Sequence, residues 1–549
     1  MSAVTLVLLL LLAVAVSRIL VRLSPFKLPL PLLQIAMGAG LAFIGFDTRL
    51  DPHVFFLIFI PPLLFLDGWR IPKDALRDNW RSILTLALGL VLFTVAGLGY
   101  LIHAMIPSLS LAMAFAVAAI ISPTDPVAVS AITSGQPVPS RLLHILEGES
   151  LFNDASGLVC FNFAVMAVIT GHFSIASASL SFLKMAAGGI VIGVAIAWGA
   201  SAVYGWLARW VGEEPGTPVL VSILIPFAAY LAAEELGMSG ILAAVAAGIA
   251  VHYANLVRYS SAVARMRRSS IWEMLEVTLN GTIFVLLGQQ LPGVIASVPD
   301  LSNEMHAEGP LELAVYVVVI TAALAVLRFV WSWFSLQGTN LLSRLRGKPT
   351  EPVSTRAVIF ASLAGVKGAI TLAGVLTLPV LLADGSNFLD RDFAIFVAMG
   401  VIILSLAVAS ATLPIVARGF DTSESAGAAD HEKAARQAAG EAGLHHLETA
   451  LRQALDEDSR GEVQAVNRVI EQYRGRLVSD DRPDHEARSE ARVLNEERRF
   501  KLSALAAERE ELYRLRRAGK IEDTLHRRLV HEIDLAETAL SSVSTNRLM

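Results

Sequence analysis

Residues 146–160 read LEGESLFNDASGLVC. Glu147, Glu149, Ser150, Asn153 and Asp154 are crowded among apolar neighbours, and the chain then runs from Leu158 to Ile169 without another charge. An ionisable side chain inside a membrane-crossing helix costs roughly 2.5–3.5 kcal/mol even on lenient scales, and by default it marks function. If this stretch crosses a bilayer, the fold is a membrane bundle organised to hold Asp154. The rest of the chain decides that condition.

Soluble domains are about 45–50% apolar and about 25% charged. Here the values are 54% and 17% over 549 residues, with a mean hydropathy of +0.58. The bias is uneven. Residues 1–420 hold 23 Lys/Arg and 23 Asp/Glu in almost continuous apolar sequence, and residues 421–549 hold the other 21 and 26. The net charge of −5 therefore belongs to the tail, and a boundary falls near 418–425. Neither part has a basic excess, so a nucleic-acid partner has no electrostatic support. The one cysteine, Cys160, excludes intramolecular disulfides and leaves no basis for a cysteine metal site.

A span needs about 20 mostly apolar residues. Thirteen such segments fall near 3–22, 28–47, 53–69, 82–106, 111–133, 145–170, 177–207, 218–235, 239–257, 272–296, 311–337, 356–382 and 392–416. The first lacks a basic stretch before it and has Arg18, Arg22 and Lys27 after it, so it reads as a span with its N-terminus outside rather than a cleaved signal. On that orientation 18 basic residues lie in cytoplasmic connections, against Arg49, Lys184 and Arg391 outside. An odd number of spans then leaves residues 421–549 in the cytoplasm. This tail reads as helical pieces at 428–455, 462–477, 484–518 and 521–540, with solvated charges and a thin apolar seam. A regulatory or dimer-stabilising role and a plain solvated appendage both fit it.

Thirteen spans divide into six, a linker and six, the arrangement of an inverted repeat. One span in each half is interrupted, at corresponding positions: the fifth by Ser122-Pro123-Thr124-Asp125-Pro126, the twelfth by Gly365-Val366-Lys367-Gly368. Proline removes a backbone donor and clashes with the preceding turn. Paired interrupted spans point to a transport site at mid-bilayer, although a proline kink and a glycine packing seam would also account for them. The expected fold is an all-α polytopic membrane protein of about thirteen helices in inverted repeats with two interrupted crossing helices, followed by a helical cytoplasmic tail.

Within the spans lie Asp67, Asp125, Glu149 and Asp154 against Arg328 and Lys367, an excess of negative charge suited to a cation or a proton. At about 100° per residue, Asn153 lies about 40° from Glu149, Ser150 about 100° and Asp154 about 140°. Glu149 and Asn153 thus form one strip, Ser150 and Asp154 a neighbouring one. The second strip offers hard oxygen ligands for Na⁺ or Li⁺. An interhelical polar clasp is the structural alternative. Asp125 is placed to meet positive helix starts and Lys367 negative helix ends, with Thr124 or a freed carbonyl offered to the ion.

SPTDPVAVSAI, EGESLFNDASGLV, NGTIFVLLGQQLP and GVKGAITLAGVLTLP, in that order, resemble the monovalent cation:proton antiporter-1 family of NhaP and Na⁺/H⁺-exchanger type, over about residues 1–420. The resemblance implies a homodimer in the lipid of the plasma (inner) membrane, with a dimerisation domain and a moving six-helix core, and no cofactor beyond transported Na⁺ and H⁺. It makes Asp154 the carboxylate that binds cation and proton in turn, with Ser150 and Thr124 as further Na⁺ ligands. Asn153 would orient the site against Asp67, and Glu149 would pair with Arg328. Lys367 stands where the family more often has arginine, which keeps the charge and loses the planar fork. Asn153, in place of a second aspartate, implies electroneutral one-for-one exchange serving pH and sodium homeostasis. K⁺ selectivity is left open, because one sequence does not set a pocket radius. A channel would need no titratable carboxylate at its centre. No HExxH or GxSxG set supports an enzyme.

Overall fold

In a computed structural model, residues 3–23, 29–46, 52–71, 80, 83–170, 175–211, 216–253, 262–304, 309–345, 354–378 and 390–420 are described, with shorter stretches between 441 and 537. No strand occurs among them. The chain divides into two compact units, Met1–Asp421 and Thr422–Met549.

The first unit runs α1 (Ala3–Leu23), α2 (Leu30–Phe43), α3 (Pro52–Arg70), α4 (Val91–Met105), α5 (Leu111–Ile121), α6 (Pro126–Thr133), α7 (Ser140–Thr170) and α8 (Ile175–Val211). It continues with α9 (Thr217–Glu235), α10 (Gly240–Tyr253), α11 (Ala262–Ala296), α12 (Val298–Glu304), α13 (Pro310–Leu345), α14 (Thr355–Leu363), α15 (Ala369–Leu376) and α16 (Asp390–Ala417). Helix starts follow local chemistry. Ser110 Oγ accepts from Met113 N at 3.1 Å to cap α5, and Pro126 opens α6 where its missing N–H costs nothing. A π-helical stretch, Thr85–Leu90, leads into α4, and the Ser156 hydroxyl of α7 donates to the Ala87 carbonyl in it at 2.7 Å. Such widened turns are frequent at functional sites.

Eight of these helices are long and apolar enough to cross a membrane, and the pair α5/α6, bent by 42°, makes a ninth. The expected count of thirteen is not reached on length and composition alone, for a physical reason. Helices α2 and α10 have only 14 residues each, and the twelfth segment is split into α14 and α15 of 9 and 8 residues.

The helices pack mainly within two sets. One set holds α1, α2, α3, α8, α9, α10 and α11; the other holds α4 to α7 and α13 to α16. In the first set the pairings α2 with α11 and α3 with α10 are extensive. Exchanging the two halves of an inverted repeat turns one of these pairings into the other. Both are closed by reciprocal glycines. A Cβ on Gly38 would lie 1.9 Å from the Val285 carbonyl oxygen, and one on Gly288 2.0 Å from that of Ile35. A Cβ on Gly68 would lie 2.5 Å from the Val245 oxygen, and one on Gly248 2.1 Å from that of Phe65. The stretches LDGWRIP at 66–72 and LLGQQLP at 286–292 thereby come into register, an internal likeness too short to stand out in the sequence by itself.

In the second unit, helix covers 441–453 and 501–512 and shorter pieces among 463–471 and 529–537. The rest of the expected tail helices at 428–455, 462–477, 484–518 and 521–540 lies outside the described residues. Arg509 donates to Asp534 at 2.9 Å and also to Glu537, tying two of the expected pieces together through solvent-exposed charges.

Candidate ion-binding site

The two interrupted segments meet. Between α5 and α6, Asp125 takes an extended conformation and its Oδ1 accepts from Val127 N at 2.9 Å and Ala128 N at 3.3 Å, so its charge sits on the start of α6. Its own N–H donates to the Val366 carbonyl at 2.8 Å, across to the break between α14 and α15. In return, Lys367 Nζ donates to the Ser122 carbonyl at 2.8 Å, placing a cation on the end of α5. Each charge thus faces the helix end of opposite polarity, where such placement contributes about 0.3–2 kcal/mol. Lys367 N also donates to Ser405 Oγ at 3.2 Å. At residue 368 only glycine fits, since a Cβ would lie 2.1 Å from Asp125 Oδ2.

Helix α7 lays its two polar strips against this crossing. On one, Glu149 is fully buried and accepts from both arms of Arg328, Nη1 at 2.5 Å and Nη2 at 2.7 Å. Arg328 Nε donates to the Ala361 carbonyl at 2.7 Å. Asn153 Nδ2 donates to Thr124 Oγ1 at 2.8 Å, while its buried Oδ1 has no partner among the described residues. On the other strip, the Ser150 hydroxyl donates to the Thr124 carbonyl at 2.8 Å. Asp154 is buried one turn further along. Thr124 is therefore held through both its hydroxyl and its carbonyl.

Each strip faces its own cavity of about 50 Å³. Glu149 and Asn153 line one with Arg328, Lys367, Ser122 and Thr94, all from the second helix set. Ser150 and Asp154 line the other with Thr124 and Asp125, and across it stand Asp67 of α3 and Glu276 and Asn280 of α11. Thr371 of α15 completes the polar lining. This second cavity lies between the two helix sets. Asp67 and Asn153, expected to face one another, line different cavities: α3 packs on the Ser150/Asp154 strip, and the turn of the helix carries Asn153 to the far side.

Glu276 and Asn280 were not anticipated. Their spacing of four residues, one turn of a helix, is the signal that could have found them. Arg70 pairs with Glu276 at 2.6 Å. Of the cavity's acids, Asp125 is held by a helix start and Glu276 by Arg70. Asp67 and Asp154 pair with no cation among the described residues. Two carboxylates beside hydroxyl and carbonyl oxygens form a hard-oxygen donor set, which suits an alkali cation. Among the described residues no group of three or more His, Cys, Asp or Glu is placed to hold a metal ion, so a transition-metal centre has no support.

The family model described as "Sodium/hydrogen exchanger, transmembrane" matches residues 7–419. The chain is 41% identical to the uncharacterized Na(+)/H(+) exchanger YjcE of Escherichia coli K12, over 97% of this chain and 98% of that protein. It is 39% identical to a sodium, potassium, lithium and rubidium/H(+) antiporter of Bacillus pumilus, over 94% of this chain and 75% of that one. A Bacillus subtilis protein with the same description is 42% identical over 75% of this chain and 61% of that one. Among solved structures, the sodium proton antiporter MjNhaP1 from Methanocaldococcus jannaschii superposes with a TM-score of 0.58 at 17% identity, covering 76% of this chain and 99% of that one. At that identity the likeness concerns the fold.

Proposed function

The chain belongs to the sodium/hydrogen exchanger family of multi-pass membrane cation/proton antiporters, and on that premise we propose that it exchanges Na⁺ or Li⁺ for H⁺, one for one, by alternating access. The setting of this reading is the plasma membrane, crossed thirteen times by each subunit of a homodimer, with the N-terminus outside and the tail in the cytoplasm. Its role there is pH and sodium homeostasis.

The observation that carries the reading is the cavity between the helix sets, with Asp154 on one wall and Asp67 on the other. Asp154 is the carrier in this scheme because it is the spare acid on the set built from the interrupted helices. Glu149 is neutralised by Arg328, and Asp125 and Lys367 by helix ends. Proton and cation compete for the Asp154 carboxylate, with Ser150 and Thr124 as further oxygens for the cation. Only the occupied, neutral site crosses, so each passage moves one positive charge. The membrane potential, about 2.3 kcal/mol per charge per 100 mV, then cancels from the driving force. The pH gradient, about 1.36 kcal/mol per unit, and the cation gradient set the direction.

A K⁺-transporting version of the same chemistry is favoured by one specific observation, the likeness to two Bacillus proteins described as sodium, potassium, lithium and rubidium/H(+) antiporters. Proteoliposomes with a trapped pH dye separate the readings. Na⁺, Li⁺ and K⁺ are added in turn, with the potential clamped or free. Cation-driven proton movement that is indifferent to the clamp supports electroneutral antiport, and Asp154→Asn should abolish it in protein that purifies as the wild type does. Retained cation-dependent proton movement in that variant rejects Asp154 as the carrier.

A further inference from the structure

Thr371 lies in the first turn of α15, on the second interrupted segment, and lines the cavity that holds Asp154. It is 1% exposed, and its hydroxyl has no hydrogen-bond partner among the described residues. Leaving a buried hydroxyl unsatisfied costs about 1–3 kcal/mol. A threonine in an apolar helix normally avoids this by donating to the carbonyl three or four residues back.

The neighbouring hydroxyls do so. Ser362 donates to Val358 O at 2.7 Å, Thr377 to Gly374 O at 2.6 Å, Ser405 to Ile402 O at 3.0 Å and Ser410 to Leu406 O at 2.7 Å. Thr371 is the exception in this neighbourhood, and it is the one that lines the Asp154 cavity. Its position four residues beyond Lys367 explains how it escapes the usual bond. Residues 365–368 are unwound, so the Lys367 carbonyl four residues back is not part of a helical turn, and the Gly368 carbonyl three residues back already accepts from Leu372 N at 3.4 Å. Among the described residues, the other orphaned polar atom of this cavity is Asn280 Nδ2, on the opposite wall. An amide N–H is a donor that complements a carboxylate and cannot ligate a cation. Thr371 Oγ1 is the orphan with lone pairs to offer.

We propose that Thr371 is a cation ligand, supplying the transported ion with an oxygen from the second interrupted segment opposite those of Ser150 and Thr124. This rests on the antiport reading above and extends it. Both interrupted helices then contribute to one coordination shell, and the orphaned hydroxyl gains its partner when the cation arrives. The ligand atom is neutral, so it acts on affinity for the cation and leaves the competing proton, which needs only the Asp154 carboxylate, unaffected.

The test uses the full chain in proteoliposomes, with the apparent KM for Na⁺ and the maximal rate measured at fixed pH for wild type, Thr371→Val and Thr371→Ser. Valine keeps the shape and removes the oxygen; serine keeps the oxygen. The expected result for Thr371→Val is a KM raised about tenfold, the loss of one neutral polar contact, at a maximal rate within about twofold of wild type. Thr371→Ser should restore the wild-type KM. The upward shift of the thermal transition that Na⁺ gives the purified wild type should be reduced in the valine variant alone. A valine variant with wild-type KM and wild-type Na⁺-dependent thermal shift overturns the ligand role. So does a serine variant as impaired as valine, because that is the signature of packing. A wild type without any cation-dependent proton movement is a different failure, and it sinks the antiport reading itself.

Discussion

The ion pair between Glu149 and Arg328 can be tested quantitatively. Glu149 is fully buried and Arg328 is 5% exposed, and they are joined by two parallel bonds of 2.5 and 2.7 Å. Removing one partner of such a pair leaves an uncompensated buried charge and costs about 3–5 kcal/mol, whereas replacing both by apolar groups is often neutral. Arg328→Met should therefore destabilise by about 4 kcal/mol and Glu149→Met by about 3 kcal/mol, while the double variant should lose about 1 kcal/mol or less. Arg328 Nε also donates to the Ala361 carbonyl. That bond is lost in both Arg328→Met and the double variant, so it cancels in the cycle, and the coupling left to the pair is about 6 kcal/mol in this scheme. At about 2 °C per kcal/mol, the lower end of the range for chains of a few hundred residues, the arginine variant should melt on the order of 8 °C below wild type. The assay is intrinsic tryptophan fluorescence of detergent-purified protein during heating. An Arg328→Met shift under about 2 °C, or a double variant whose loss is the sum of the singles, would refute the reasoning.

Two steric predictions follow from glycine positions. Gly368→Ala places a methyl group where Asp125 Oδ2 now lies, 2.1 Å away. It should separate the two breaks and abolish transport in proteoliposomes, and a variant with more than half the wild-type rate would contradict that crossing. Gly288→Ala drives a methyl into the Ile35 carbonyl at 2.0 Å. It should lower the melting transition by several degrees, in line with the roughly 1–3 kcal/mol that overpacking costs, and an unchanged transition would show that the seam has slack.

Much of the architecture can be read from residue order because membrane helices must satisfy their backbone internally. Apolar runs mark the helices, and Pro123 and Pro126 mark the break between α5 and α6. The wheel angles of α7 separate two strips, and the structure gives each strip a cavity of its own. What a wheel does not carry is which neighbour each strip meets. The sequence therefore does not show that Asp67, Glu276 and Asn280 face the Ser150/Asp154 strip and that Asn153 does not. Helix α11 begins at Ala262, ten residues before the apolar segment expected at 272–296, so Glu276 reads in sequence as a solvated end. Thr371 carries no signal in the sequence, because a threonine in an apolar helix ordinarily bonds to its own backbone and only the fold reveals one that does not.

The reciprocal glycine contacts of α2 with α11 and α3 with α10 have a mechanical consequence. Where a main-chain carbonyl rests directly on the Cα of the facing helix, no rotamers stand between the two axes to take up a load. Such a joint behaves as a weld, and joints built from interdigitated leucines and valines behave as springs. Two welds at symmetry-related places turn the first helix set into a stator. In the antiport scheme proposed above, the free energy released when a cation replaces a proton then has little to deform on that side.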